Sequence, residues 1–192
     1  MIDNVGVVGA GLMGAEIALV SALAGKDVIL SDTTQDALDR AVAKLATVLD
    51  KGIQRGFFRE EQKAEALRRI RTSVDLAAHA DRDLVIEAVF ENEDVKAAVF
   101  RQLDTICKPD AYIASNTSTI SITTLASYVV AERRVNFVGT HFFSPVSRMK
   151  LVEVIRPITA SDDTIATALA FATQCGKDPV EVKDRAGFIV NA

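Results

Sequence analysis

The stretch VGVVGAGLMG, residues 5–14, decides how the rest of the chain is interpreted. Its first four residues form a short apolar run that is typical of a buried strand. Gly9, Gly11 and Gly14 follow as G-x-G-x-x-G, where the first glycine permits a tight turn, the second lets a phosphate approach the backbone, and the third lets a helix pack closely. The stretch therefore predicts a strand, a turn, and a helix from Leu12 whose N-terminus binds the phosphates of a dinucleotide.

Short apolar runs alternate with amphipathic stretches along the rest of the chain, which is the pattern of β-α-β units. Further strands are predicted at 27–31, 83–89, 112–115, 135–142, 151–155 and 180–182. Helices are predicted at 12–23, 35–51, 60–70, 93–106 and 162–176, with a short one at 123–128. We therefore predict an α/β fold of the Rossmann type, a doubly wound and mostly parallel sheet with helices on both faces.

Composition limits the class of protein. With 192 residues, 49% of them hydrophobic, the chain can bury one sizeable core. The formal net charge of -4 and the pI ≈ 5.3 argue against a nucleic-acid partner, because backbone phosphates demand a concentration of Lys and Arg. A small anionic ligand would need only a local basic patch.

The sequence shows no sign of export, membrane insertion or metal binding. No basic segment followed by an apolar run opens the chain, and no stretch of about 20 apolar residues occurs. Cys107 and Cys175 match no CxxC or Cys/His spacing, so neither a disulfide framework nor a metal site is predicted. We expect a protein of the reducing cytoplasm, with no membrane partner.

Asp32 is the candidate for recognition of the adenosine ribose. It lies 23 residues after Gly9, at the end of the second predicted strand, where a carboxylate can accept hydrogen bonds from both ribose hydroxyls. It would repel a 2'-phosphate, and no Arg follows it at 33 or 34, so NAD is favoured over NADP. The alternative is that Asp32 only caps the helix that starts near Gln35.

His141 is the candidate for proton transfer. Imidazole is the side chain whose usual pKa lies near neutral pH, and His141 stands at the end of a predicted strand, where open α/β sheets bind ligands. Glu153, twelve residues later on the next strand, can accept a bond from the far ring nitrogen and fix the tautomer. A histidine at a strand end without such a partner would more often be structural.

Ser118 follows another strand end and can align a substrate oxygen against His141. Its alternative is an N-cap for a helix beginning near Ile120. Glu91 and Lys96 have an equally plain alternative, the solvated face of the helix in which such charges usually lie.

Four further motifs carry a resemblance to a known family. They are EAVFEN at 87–92, SNTS at 115–118, HFFSP at 141–145 and LVEVI at 151–155. Together with the glycine motif, in this order and spacing, they resemble the L-3-hydroxyacyl-CoA dehydrogenases over essentially the whole chain. Residues 119–122 and 141–148 look most like the large multifunctional fatty-acid oxidation proteins, and are also similar to the short monofunctional enzymes.

The resemblance implies NAD-dependent, reversible oxidation of (S)-3-hydroxyacyl-CoA to 3-oxoacyl-CoA, in fatty-acid β-oxidation or related short-chain acyl-CoA metabolism. It implies that the catalytic residues are His141, Glu153 and Ser118. The residues it places at NAD are Gly9, Gly11, Leu12, Met13, Gly14, Asp32, Phe90, Glu91, Lys96, Ser118 and Ser144. Ser144 stands where most of the short enzymes have Asn. The residues it places at acyl-CoA are Ser118, Arg55 and Asn191.

The resemblance also implies that helices 35–51 and 60–70 form a projecting hairpin. Arg55, on this hairpin, stands where the family has a Lys that touches a CoA phosphate. Lys51, Arg59 and Lys63 add positive charge nearby, around the apolar pair Phe57 and Phe58, which the projection would leave without cover. The alternative is an exposed hairpin with ordinary surface charge.

Two domains are expected: an NAD-binding domain at 1–185 and, at 186–192, the start of a truncated helical domain. The family pairs its subunits and closes over the acyl chain through that helical domain, so the full-length protein is expected to be a homodimer and the chain alone weakly active or inactive. Ala186 and Ala192 replace the family's usual Pro and Arg. Two other functions stay open: a noncatalytic NAD-binding protein on this scaffold, and a different β-hydroxyacid dehydrogenase, which commonly uses a Lys base.

Overall fold

The computed structural model describes residues 2–185, 187 and 188, and within them eight strands form one sheet. The strands are β1 Asn4–Val8, β2 Asp27–Ser31, β3 Ile70–Ser73, β4 Leu84–Glu87, β5 Tyr112–Ser115, β6 Phe137–Phe142, β7 Leu151–Arg156 and β8 Asp178–Lys183. The helices are α1 Leu12–Leu23, α2 Gln35–Gln54, α3 Glu60–Arg69, α4 Glu93–Ile106, α5 Ile122–Ala126 and α6 Asp162–Gln174. Short 3₁₀ turns occupy Leu76–His79 and Ala131–Asn136.

The strand order is β3-β2-β1-β4-β5-β6-β7-β8, and every neighbouring pair is parallel except β6 with β7. The order reverses direction between β1 and β4, which opens a crevice at the carboxyl ends of these two strands. The antiparallel pair has its own consequence, because it sets His141 directly opposite Glu153. The mostly parallel, doubly wound sheet predicted from the sequence is confirmed.

Helices cover both faces of the sheet, as predicted. On one face α1, α2 and α6 bury residues such as Ile17, Leu45 and Phe171. On the other, α4 and α5 bury Phe100 and Leu125. No helix in the described part of the chain is long and apolar enough to cross a bilayer.

The hairpin of α2 and α3 packs along α1 rather than standing free. The two phenylalanines near its tip differ in environment. Phe57 is 65% exposed, whereas Phe58 is half-buried against the main core. A Cβ at Gly52 would lie 2.3 Å from the Phe58 ring, so the missing side chain is what lets this ring fold back. Lack of cover, expected for both rings, holds only for Phe57.

Two sequence predictions of secondary structure were wrong. Strand β3 was missed because its sequence is IRTS, a polar segment at the sheet edge with no apolar run. The strand expected at 135–142 begins only at Phe137, because the preceding residues form a 3₁₀ turn. Asn191, Ala186 and Ala192 lie outside the described residues.

Candidate active site

The glycine turn after β1 has the shape that a dinucleotide phosphate requires. Gly9 has φ +103°, and a Cβ there would lie 2.6 Å from the carbonyl oxygen of Ala88. A Cβ on Gly14 would lie 1.9 Å from the carbonyl oxygen of Gly9, whereas one on Gly11 would meet nothing within 4 Å. No side chain caps the N-terminus of α1. The turn is therefore closed toward the protein and open outward, and it fits the pyrophosphate of NAD.

Asp32 supports this turn directly. Its Oδ2 accepts a hydrogen bond from the backbone N–H of Ala10 at 2.7 Å, and its Oδ1 accepts one from that of Thr33 at 2.7 Å. Helix α2 is capped instead by Thr34, whose side chain accepts from the N–H of Ala37. The alternative that Asp32 caps this helix is wrong. A carboxylate has about four lone-pair positions, so the two ribose hydroxyls can still bind here.

Glu91 organises the loop after β5 that carries Ser118. Its Oε1 accepts hydrogen bonds from the Thr117 hydroxyl at 2.5 Å, the Ser118 N–H at 2.9 Å and the Thr119 N–H at 3.0 Å. Burial raises the pKa of this carboxyl, but these bonds and the charge of Lys96 outweigh burial, so the pKa lies below its usual value. Glu91, whose side chain is 38% exposed, is therefore both solvent-accessible and an ionised anchor of this loop.

Lys96 faces the interior. It is 1% exposed, and its Nζ lies 2.7 Å from Oε1 of the fully buried Glu87 and 3.3 Å from Oε2 of Glu91. The other oxygen of Glu87 accepts from the Ser115 hydroxyl at 2.6 Å. Lys96 thus ties the end of β4 to Glu91 and, through it, to the Ser118 loop. The solvated alternative is wrong, and direct contact of Lys96 with NAD stays a prediction.

The other residues predicted to contact NAD line the same edge of the sheet with little cover. Phe90 is 86% exposed and Leu12 is 47% exposed, while Met13 is half-buried. Ser144 is exposed and precedes a cis peptide bond to Pro145. Their contacts to the cofactor stay predictions.

His141 lies between the two partners expected for it. Its Nε2 is 3.1 Å from the Ser118 Oγ, and its Nδ1 is 2.8 Å from Oε2 of Glu153. The imidazole is 4% exposed and Glu153 is fully buried. With Glu153 ionised, Nδ1 carries the ring proton and donates a hydrogen bond to the carboxylate. Nε2 is then unprotonated and can accept a hydrogen bond. Ser118 does not cap a helix, because α5 is capped by Ser121.

Three residues near His141 were not singled out from the sequence. Asn116 Oδ1 accepts the Phe142 N–H at 2.9 Å and so joins the Ser118 loop to the end of β6. The ring centroids of Phe143 and Phe188 lie 4.4 Å and 5.8 Å from that of His141. The position of Asn116 within SNTS could have indicated it, whereas nothing local marks the two rings as neighbours of His141.

Residues 4–185 match the family "3-hydroxyacyl-CoA dehydrogenase, NAD binding domain". The chain belongs to this family. Over 190 residues it is 45% identical to the fatty acid oxidation complex subunit alpha of Psychrobacter cryohalolentis, an alignment that covers 99% of this chain and 26% of that protein. The chain thus spans about a quarter of the length of such curated relatives.

Solved structures agree with this assignment. (S)-3-hydroxybutyryl-CoA dehydrogenase from Ralstonia eutropha is 43% identical with a TM-score of 0.96, over 99% of this chain and 66% of that one. 3-hydroxybutyryl-CoA dehydrogenase from Escherichia coli is 37% identical with a TM-score of 0.95, over 99% of this chain and 40% of that one. The domain is an NAD-binding domain of an oxidoreductase family.

The basic patch of this NAD-binding domain is smaller than its sequence indicated. Arg55, the first residue after α2, is exposed, as are Lys51 and Arg59. The Lys63 ammonium instead pairs with the carboxylate of Asp50, which raises the pKa of Lys63. The Arg55 side chain is exposed to solvent, and its contact with a CoA phosphate stays a prediction. The contact of Asn191 with the substrate also stays a prediction.

Proposed function

We propose that the protein to which this domain belongs catalyses the reversible NAD-dependent oxidation of (S)-3-hydroxyacyl-CoA to 3-oxoacyl-CoA, in fatty-acid β-oxidation or related short-chain acyl-CoA metabolism. One observation supports it most: His141 lies between a buried carboxylate and a serine hydroxyl, at the edge of the sheet that also carries the glycine turn. Ser118 is partly exposed, so a substrate hydroxyl can reach the pair.

Proton transfer falls to Nε2 of His141. Because Glu153 accepts the hydrogen bond from Nδ1, Nε2 is the nitrogen that can act as the base. The Ser118 hydroxyl lies 3.1 Å from Nε2, and the hydroxyl of the substrate can bind beside it. Ser118 can donate to the substrate oxygen while His141 removes its proton, which aligns the alcohol before reaction. The glycine turn and Asp32 would hold NAD, which would supply the acceptor for the hydride of the carbinol carbon. In the reverse direction His141 returns the proton.

Glu153 stabilises the product state of that transfer. Taking up a proton makes the imidazole a buried cation, which is costly in an apolar interior without an opposite charge. The carboxylate 2.8 Å away compensates that charge and also fixes the ring orientation. The antiparallel pairing of β6 and β7 holds both residues at one register position, so the geometry exists before substrate binds.

The remaining assignments extend this proposal. Arg55 binds a phosphate of CoA, Asn191 contacts the substrate, and the NAD-binding domain extends to residue 185, where the family match ends. A helical domain that begins at about residue 186 would cover the acyl chain and pair two subunits. We place the protein in the cytoplasm, with acyl-CoA as its substrate partner.

The test is hydride transfer from NADH to acetoacetyl-CoA and to longer 3-oxoacyl-CoA thioesters, followed by loss of NADH. It is run with the chain alone and with the chain fused to the part of the Ralstonia eutropha enzyme that this chain does not cover, about a third of that protein. We expect turnover at least in the fusion, and none with acetoacetate that lacks CoA. NADH binding without turnover in either form would leave only a noncatalytic NAD-binding protein.

Cofactor choice is tested separately through Asp32. Asp32→Ser removes the negative charge that opposes a 2'-phosphate, so the preference for NADH over NADPH should fall by about tenfold or more. Asp36→Ser, an exposed acidic residue in the first turn of α2, is the matched control and should leave the preference unchanged. Equal binding of NADH and NADPH by the unaltered chain would contradict the assignment to NAD.

A further inference from the structure

Asp184, the first residue after β8, holds the far end of the loop that carries Ser118. Its Oδ2 accepts from the Ser121 hydroxyl at 2.8 Å and from the Thr123 N–H at 2.7 Å, and its Oδ1 accepts from the Ile122 N–H at 3.0 Å. These donors form the beginning of α5, three to five residues after Ser118. One carboxylate therefore fixes the start of a helix too short to be stable by itself.

The loop is thus fixed at both ends by carboxylates. Glu91 binds Thr117, Ser118 and Thr119 from the side of β4, and Asp184 binds the next turn from the side of β8. Each bond to a charged acceptor is stronger than one between neutral groups. Ser118 lies between the two anchoring carboxylates, so loss of either carboxylate would let its hydroxyl move relative to His141.

Phe188, four residues after Asp184, packs near His141, the second member of the Ser118–His141 pair. Phe188 is 6% exposed, and its ring centroid lies 5.8 Å from that of His141, which also lies 4.4 Å from the ring centroid of Phe143. Its backbone has φ 55°, a left-handed conformation that is uncommon for a residue with a Cβ. Burial of the ring in the core that also holds Ile122 and Leu125 offsets that cost.

We propose that Asp184 and Phe188 are positioning residues for the proton-transfer pair: Asp184 sets the Ser118 hydroxyl against His141, and Phe188 shields the His141–Glu153 bond from water. This rests on the proposed function, because it assigns these side chains to the same reaction. Neither residue touches the reacting atoms, and both act through the groups they hold. We call Asp184, Arg185, Gly187 and Phe188 the exit segment.

The size of the effect follows from geometry. A displacement of about 1 Å in a reacting group can cost up to about a hundredfold in rate without changing affinity. Within the described part of the chain, the hydrogen bonds of Asp184 go to Ser121, Ile122 and Thr123 and not to the glycine turn. The affinity for the cofactor should therefore not depend on Asp184. A merely structural residue would instead change stability, KM and kcat together.

The first experiment compares Asp184→Ala and Asp184→Asn with Arg185→Gln, an exposed neighbour in the exit segment, in the active form of the protein. Asp184→Ala should lower kcat by about ten- to a hundredfold with KM and the Kd of NADH within about twofold. Asp184→Asn keeps one acceptor oxygen and should retain part of the rate. If Asp184→Ala does not fold, the Asn variant decides alone. Wild-type kcat in a folded variant overturns the role of Asp184.

The second experiment needs no turnover. The chain has 2 histidines, so few imidazole N–H signals are expected in its NMR spectrum. The signal of the His141 Nδ1 proton, which is hydrogen-bonded to Glu153, is identified by its loss in His141→Gln. Solvent exchange of that proton should rise by about tenfold or more in Phe188→Ala and much less in Phe188→Leu. Arg185→Gln should exchange as the wild type does. Unchanged exchange in Phe188→Ala overturns the shielding role.

The two experiments also separate this inference from the proposed function. If no form of the protein transfers hydride, the proposed function fails, and the exchange measurement still decides whether Phe188 shields His141. If hydride transfer is normal and the variants leave both kcat and exchange unchanged, only the inference fails.

Discussion

The two histidines of this chain make similar contacts and have different consequences. Each is buried, at 4% exposure for His141 and 0% for His79, and each sets Nε2 against a serine hydroxyl. The distance is 3.1 Å to Ser118 for His141 and 2.8 Å to Ser31 for His79. A buried His–Ser contact is therefore not by itself the mark of a catalytic group.

The second ring nitrogen separates the two. Nδ1 of His141 meets the carboxylate of Glu153, whereas Nδ1 of His79 has no hydrogen-bond partner among the described residues and lies beneath Gly6. Burial, with a smaller contribution from the charge of Arg82, lowers the pKa of His79 to about 4. This histidine stays neutral at physiological pH and fills space in the core.

The two serines differ as well. Ser118 is partly exposed at the edge of the sheet, while Ser31 is 1% exposed. Only the first pair can be reached by a substrate. A carboxylate partner and a partly exposed hydroxyl, rather than burial or a short contact, distinguish the site proposed for proton transfer from the packed core histidine.

The largest effect should come from exchanging the two histidines for glutamine one at a time. His141→Gln removes the base and should lower kcat/KM for acetoacetyl-CoA reduction by about a thousandfold, with NADH affinity unchanged. His79→Gln is the matched control and should keep turnover within about threefold, provided it folds. Comparable losses in both variants would mean that the two sites do not differ in function.

Removing the carboxylate should make the His141 site resemble the His79 site. Glu153→Gln leaves the side chain nearly the same size but withdraws the charge that stabilises the imidazolium, and we expect a loss of about a hundredfold in kcat. NADH affinity, measured by fluorescence titration, should not change. Glu181→Gln, an exposed carboxylate on β8, serves as the control. Full activity of Glu153→Gln would contradict the role given to this carboxylate.

The neutral state of His79 predicts a pH dependence of stability. In the unfolded chain this imidazole binds a proton below about pH 6.5, whereas in the folded chain it does so only below about 4. The unfolded state therefore holds more protons in that window, and the free energy of unfolding should fall by about 3 kcal/mol as the pH drops through it. Urea unfolding of His79→Gln should show a shallower slope. Parallel pH curves would show that His79 has the same pKa in the folded and unfolded states.

The smallest effect concerns the contact beneath Gly6. A Cβ there would lie 2.4 Å from Nδ1 of His79, so Gly6→Ala should destabilise the fold by about 1 to 2 kcal/mol through overpacking. The same substitution in a His79→Ala background should cost much less, because the ring is gone. Thermal unfolding of the four variants measures this coupling, and additive effects would place the strain elsewhere.

Much of the site was open to prediction because its residues stand at the ends of strands. Asp32, Ser118 and His141 each follow or end a recognisable apolar run, and parallel strands bring such ends to one edge. The alternative roles as helix caps were wrong because Thr34 and Ser121 take them. Local spacing could not decide between two polar residues that lie so close to a helix start.

Other features depended on contacts between distant parts of the chain. The ammonium of Lys96 is bound to the buried Glu87 nine residues earlier, a contact that the sequence did not indicate, and its contact with NAD stays a prediction. Asp184 reaches back to Ser121, 63 residues earlier, and Phe188 reaches His141. No local pattern carries such information, because the side chains meet only after the sheet has brought them together.

The sequence by itself predicted seven of the eight strands, the helices, the glycine turn and the residues proposed for proton transfer. The physical reason is that glycine geometry, the alternation of apolar runs and the chemistry of imidazole are properties of single residues and short segments. Tertiary structure alone showed that both histidines are buried beside a serine hydroxyl, and that only the serine beside His141 is partly exposed. That difference depends on strand pairing across the sheet, and register is set by the packing of the whole core.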